Sequence, residues 1–166
     1  MQRILISACL LGHAVRYNGT ARDLAHPAVR RWQAQGRLVT ICPEVTAGFS
    51  IPRPPAEIAA GRDGEAVLSG AAKVIERGGA DVTALFLQGA QAALALAVQN
   101  RCRFALLTQG SPSCGSDFIH DGSFSGRQHA AHGVTAALLL QNGVRVFGED
   151  EIDALEACIE TARSPP

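Results

Sequence analysis

Cys9, Cys42 and Cys114 each follow a different strand-like run of sequence. Cys9 comes directly after Arg3–Ala8, and Cys42 after Arg37–Ile41. Cys114 lies in the loop Thr108–Gly115 that leaves Phe104–Thr108. If these runs lie parallel in one sheet, their carboxyl ends share the edge where open α/β folds form a ligand crevice. Three thiolates remote in sequence then converge on one pocket, an arrangement suited to a metal or cluster with three protein ligands and one open position. No two cysteines have the CxxC spacing of zinc ribbons or thioredoxin-type exchange, and the paired signature of zinc deaminases is absent. Soft sulfur ligands can hold three irons of a 4Fe-4S cluster and leave the fourth open. A three-cysteine zinc site with an open water position fits the same residues.

Other residues near these positions carry chemistry as well. Glu44 stands two residues past Cys42, where a carboxylate screened from water could act as an acid or base. The alternative is a solvated loop glutamate. Arg53, between Pro52 and Pro54, could be held rigidly as an anion or carbonyl donor, or remain a surface charge. Glu57 reads as a turn cap. The turn residues of Gly110–Gly115 could aim hydroxyls and backbone N–H groups into the crevice. Cys102 precedes a strand, and Cys158 falls on the apolar stripe of the last helix, so both read as structural. His26, His129 and His132 lack metal-ligand spacing with the cysteines and read as surface or packing residues. The turn after the first strand is not G-x-G-x-x-G, which disfavours a dinucleotide site.

The elements that must position these groups alternate between strand and helix. Pro27 opens a helix through Gln35, closed by Gly36, and a long helix runs from Asp81 or Thr83 to Asn100. The sequence predicts a further helix over Gln128–Gln141, a fourth strand at Val144–Phe147, and a last helix over Glu149–Ala162. Gly61–Gly64 reads as the turn of a small hairpin. Short apolar strands joined by helical crossovers imply a single-domain, three-layer αβα sandwich with a mostly parallel, Rossmann-like sheet. One domain is expected over residues 1–166, with no internal repeat.

Fifteen basic and fifteen acidic residues cancel, which argues against a nucleic-acid platform or a membrane-surface role. Ile6–Cys9 superficially resembles a lipoprotein cleavage site. The apolar run before Cys9 is shorter than the roughly 7–15 residues of a signal peptide core, and no stretch approaches the ~18 apolar residues of a membrane span. Five cysteines without an export signal read as free thiols, ligands or nucleophiles of a cytoplasmic protein.

Several motifs together carry a family resemblance. Ser7-Ala-Cys-Leu-Leu-Gly12 with Arg16-Tyr17-Asn-Gly19, Cys42-Pro-Glu44, Pro52-Arg-Pro-Pro-Ala-Glu-Ile58 and Ser111-Pro-Ser-Cys-Gly115 resemble the thiouracil desulfidase (TudS) family. Asp121-Gly-x-Phe-Ser-Gly126 and Gly133-Val-Thr-Ala-Ala137 match too, so the resemblance runs from about residue 3 to residue 149. It implies a 4Fe-4S cluster held by Cys9, Cys42 and Cys114, with substrate sulfur on the open iron. It implies acid/base and substrate-orienting roles for Glu44 and Ser111. The implied reaction converts 2- or 4-thiouracil, or a derived nucleotide, to uracil and hydrogen sulfide without net redox change. The implied partners are a small thiopyrimidine and, transiently, the iron-sulfur assembly machinery. Many relatives carry a cysteine where this chain has Val15, which argues that position 15 is not a required ligand. The competing readings are a non-enzymatic Fe-S or thiol sensor and the three-cysteine zinc hydrolase.

Overall fold

The computed structural model describes residues 1–162. In chain order its elements are β1 (Ile4–Ser7), α1 (Pro27–Ala34), β2 (Leu38–Ile41), α2 (Pro43–Thr46), β3 (Ala56–Ile58), α3 (Gly64–Leu68) and β4 (Val74–Glu76). Then come α4 (Thr83–Gln99), β5 (Phe104–Leu107), β6 (Phe118–His120), β7 (Gln128–Ala130), α5 (Val134–Gln141), β8 (Arg145–Gly148) and α6 (Ile152–Thr161). Strands β2, β1, β5 and β8 form one sheet in that order, every neighbouring pair parallel. The αβα fold expected from the strand–helix alternation is the one observed.

The two-residue period of a strand sends alternate side chains to opposite faces. Ile4, Ile6, Phe104 and Leu106 pack with Trp32 of α1 and Leu155 and Ile159 of α6. Leu5, Ala105 and Leu107 turn the other way, against Ala93 and Ala97 of α4 and Ala136 and Leu139 of α5. Both faces are thereby covered, as a parallel sheet requires. A third apolar cluster, including Ile58, Val74, Phe86, Ile119 and Val134, ties the small strands to α4 and α5.

Three expectations need correction. The pairing of β3 with β4 is antiparallel, as in a hairpin, but Gly61–Gly64 is not its turn. Asp63 instead caps α3, its Oδ1 accepting from Ala66 N at 2.8 Å, so a turn-like Asp-Gly pair serves as a helix start. The helix expected from Gln128 begins only at Val134, because Gln128–Ala130 pairs with Phe118–His120. Pairing with a strand ten residues earlier overrides the local helix preference. The last helix also starts later than expected, at Ile152. Glu149 Oε2 accepts from Gln109 N at 2.6 Å and Glu151 Oε2 from Gly148 N at 2.8 Å. Asp81 braces the start of α4 from one residue before its cap, Oδ1 accepting from Thr83 N at 3.0 Å and from Thr83 Oγ1 at 2.6 Å.

Candidate active site and cluster-binding pocket

The carboxyl ends of β2, β1 and β5 open on a cavity of about 320 Å³ lined by Cys9, Cys42 and Cys114, together with Glu44, Arg53 and Ser111. Cys9 and Cys114 are buried and Cys42 is half-buried; all three are free. Each sits differently. Cys9 lies in a single 3-10 turn, Ala8–Leu11, directly after β1. Cys42 is the cap of α2. Helix α4 passes so close that a Cβ on Gly89 would stand 2.5 Å from the Pro43 carbonyl oxygen, so only glycine allows α4 to seat the Cys42 segment there.

Cys114 is held by the start of α5. The first N–H groups of a helix have no partner inside it. Here Val134 N donates to Pro112 O and Thr135 N to Ser113 O, each at 2.8 Å, and Gly133 N donates to Gly115 O at 2.8 Å. Ser111 Oγ accepts from Ser113 N at 3.1 Å and Cys114 N at 3.0 Å. With its oxygen accepting twice, the Ser111 proton is left to donate elsewhere.

Glu44 and Arg53 are joined. Arg53 Nε donates to Glu44 Oε2 at 3.0 Å, and Nη2 forms a second, shorter contact with the same oxygen. Arg53 is buried, and also donates to Val15 O at 3.1 Å and Ser50 O at 3.3 Å while facing the Phe49 ring. The arginine thus works as a clamp on the carboxylate. Glu57 is buried too, and its Oε1 accepts from Gly122 N at 3.0 Å and Phe124 N at 3.1 Å. It pins the loop that brings Phe124, at the strained φ of +54°, into the cavity lining.

The electrostatics of the thiols favour a cationic occupant. Burial pushes the Cys114 thiol far above its ordinary range, and Cys42 and Cys9 push it further. Burial also raises Cys9 and Cys42; the charge of Cys42 adds to the rise at Cys9, and Glu44 to that at Cys42. Three thiolates therefore oppose one another here unless positive charge sits among them. Among the described residues, these sulfurs do not form a set within 4.8 Å of one another. A tetrahedral zinc at ~2.3 Å from each sulfur would draw them to roughly 3.8 Å. The three sulfurs would therefore have to draw together to hold a single zinc ion.

The remaining sequence candidates lie elsewhere. Cys102 is buried in the core at the amino end of β5, and Cys158 packs against the core from α6. His26 caps α1, its Nδ1 accepting from Ala28 N at 3.2 Å, and His132 meets Glu65. His129 is half-buried with Nε2 lacking a partner among the described residues. Two hydroxyls in the lining, Ser7 and Thr108, were not anticipated. A hydroxyl ending an otherwise apolar buried strand was the available signal.

Comparison with known proteins places the chain. Residues 4–151 match the family model described as 2-thiouracil desulfurase. The chain is 46% identical over 150 residues to the uncharacterized protein YbbK of Bacillus subtilis (strain 168), covering 90% of this chain and 97% of that one. A solved structure, the 4Fe-4S-dependent thiouracil desulfidase TudS, superposes with a TM-score of 0.88 at 42% identity, over 97% of this chain and 99% of the other. A match over this span, with the pocket cysteines inside it, means that the chain belongs to the 2-thiouracil desulfurase family.

Proposed function

We propose that this chain, acting as one domain, removes sulfur from a thiouracil and replaces it with oxygen from water, using a 4Fe-4S cluster held by Cys9, Cys42 and Cys114. The observation that carries the reading is the meeting of three thiols, from the ends of three adjacent parallel strands, in one cavity beside a clamped carboxylate. The family match and the solved 4Fe-4S-dependent desulfidase support it. Bound there, a cluster with one iron free of protein ligand supplies a soft Lewis acid for a thiocarbonyl sulfur.

The side chains do the rest. Both Arg53 donors fall on Glu44 Oε2, which leaves Oε1 to take a proton from the attacking water and return one to the leaving sulfur. Ser111 donates its remaining proton to a ring carbonyl or ring nitrogen, fixing the base in the cavity. Phe49, Phe118 and Phe124 line the same cavity and exclude bulk water from the ring. Water supplies the oxygen, the sulfur leaves as hydrogen sulfide, and no electrons are exchanged.

The substrate is a small thiopyrimidine, and the setting is a reducing cytoplasm, where five free cysteines persist. Among the described residues no helix is long and apolar enough to cross a membrane. Cluster delivery falls to the assembly machinery. Anaerobic reconstitution followed by sulfide assays with 2-thiouracil and 4-thiouracil side by side tests the reading. Stoichiometric sulfide and uracil from at least one of them is expected; a fully loaded protein that releases no sulfide from either overturns it.

A further inference from the structure

The three strands that lead to the pocket cysteines each start from an arginine. Arg3 precedes β1, Arg37 precedes β2 and Arg103 precedes β5. Ile4 is in register with both Leu38 and Phe104. The three arginines therefore stand abreast at the amino edge of the sheet, in steps of roughly 5 Å. With Arg101, Gln35, Gln99 and Asn100 they line an open concavity of about 930 Å³, at the opposite end of the sheet from the cysteines. Among the described residues no acidic side chain lines it. Elsewhere Arg22 meets Glu149, Arg31 meets Glu156, Arg53 meets Glu44 and Arg127 meets Asp121. Here the acceptors are neutral. Arg3 donates to the Asn100 side chain, and buried Arg37 donates through Nε to Gln2 O at 2.8 Å and through Nη1 to Gln35 Oε1 at 3.3 Å. Arg3, Arg101 and Arg103 are exposed and form no ion pair among the described residues.

Arginines near the carboxyl end of a helix commonly serve its unpaired carbonyls. Backbone groups already fill that role for α1 and α4. Arg37 N donates to Trp32 O at 3.0 Å, Arg101 N to Val98 O at 3.0 Å and Cys102 N to Ala97 O at 2.8 Å. The side chains of Arg101 and Arg103 are thus left to solvent. Arg101 stands at a φ of +54°, a left-handed position that closes a helix and is usually glycine or asparagine. A charge is placed where a helix stop alone would not ask for one.

We propose that this concavity is an anion-binding site, remote from the cysteine cavity, for a small oligophosphate such as a diphosphate or triphosphate group, with Arg3, Arg101 and Arg103 as its donors. Guanidinium forks match phosphate oxygens two at a time. The volume falls within the roughly 300–1,000 Å³ of small-ligand sites, which favours a compact ligand over a macromolecule. Among the described residues the lining holds no aromatic ring, so a base or sugar finds nothing to stack on. Recognition falls on charge, and phosphates joined in a row concentrate it in the least space. The inference stands apart from the cluster reading, since it needs neither iron nor a thiouracil.

The test is calorimetric titration of the full chain with sodium tripolyphosphate, before and after anaerobic reconstitution. Saturable binding is expected in both forms, weakening as salt rises. Arg101→Gln and Arg103→Gln should each weaken it by about tenfold, the worth of a charge-assisted hydrogen bond, with the parent's melting temperature. Arg30→Gln, which removes an exposed charge from α1 outside the concavity, should bind as the parent does. A hexaglutamate peptide should bind more weakly than tripolyphosphate. Absence of saturable binding to the parent overturns the proposal. So does parent affinity in both edge variants, which would put the anion elsewhere, such as the cysteine cavity. Equal weakening in Arg30→Gln would reduce the effect to overall charge, and tighter binding of the peptide would overturn the phosphate assignment.

Discussion

Arg53 grips Glu44 by one carboxylate oxygen, with two donors converging on Oε2. The clamp orients the carboxylate, so the pair should fail as a unit. Glu44→Gln is expected to keep the cluster absorbance and lose turnover by about 10²–10⁴-fold, the usual worth of a positioned acid/base group. Arg53→Met strands a carboxylate that is 16% exposed; breaking a buried pair from one side costs about 3–5 kcal/mol. Urea unfolding and sulfide release check the two halves. Full activity in Glu44→Gln would remove this residue from the mechanism.

The cysteines divide three against two. Cys9→Ser, Cys42→Ser and Cys114→Ser should each abolish stable cluster binding, read as iron content and visible absorption after anaerobic reconstitution. Cys102→Ala and Cys158→Ala, changed in the core at the far edge of the sheet and on α6, should keep both. An intact cluster and full activity in Cys42→Ser would show the ligand set to be wrong.

Gly133 lies against the cluster loop so tightly that a Cβ would stand 2.5 Å from Ser113 O and 2.8 Å from Pro112 O. Both are backbone atoms, and they anchor the first turn of α5. Gly133→Ala should therefore cost about 1–3 kcal/mol by overpacking and weaken iron retention together with stability. Gly78→Ala, with nothing within 4 Å of the added methyl, should stay within about 0.5 kcal/mol of the parent. Equal melting temperatures for the two variants would contradict the packing argument.

Asp81 sets a pH dependence. Hydrogen bonds from the Thr83 hydroxyl and backbone, with help from Lys73, lower its pKa from 3.8 to about 2. A carboxyl lowered on folding contributes stability above its unfolded pKa of about 3.9 and loses it as pH falls through the folded value. The melting temperature should thus drop between about pH 4 and pH 2 partly through this residue. Asp81→Asn should make the drop shallower; an unchanged slope would show that the brace at α4 does not stabilise the fold.

What could be read from sequence, and what could not, follows from the range of the interactions. Cys9, Cys42 and Cys114 were legible because each follows its own apolar run, and parallel strands put like ends together. Glu44 was legible as a candidate by its nearness to Cys42. The role of Arg53 as its clamp was not, because the two lie nine positions apart across an irregular loop that contains Gly48 and Pro52. Gln128–Ala130 carries no strand signal of its own and becomes a strand only against Phe118–His120. Asp63-Gly64 has the composition of a turn and of a helix cap alike, and only packing against Gly133 decides between them. Ser7 and Thr108 gain meaning from a neighbouring strand about a hundred positions away.

The sheet whose ends carry the proposed ligand cysteines owes none of its backbone pairing to them, since the ladders end at Ser7, Ile41 and Leu107, short of every sulfur. Folding and loading are therefore separable events, unlike those of small domains that need a metal to fold at all. The polypeptide can mature first and receive its inorganic centre afterwards. On this arrangement, a folded chain emptied of its centre is expected to keep its sheet and accept a new one.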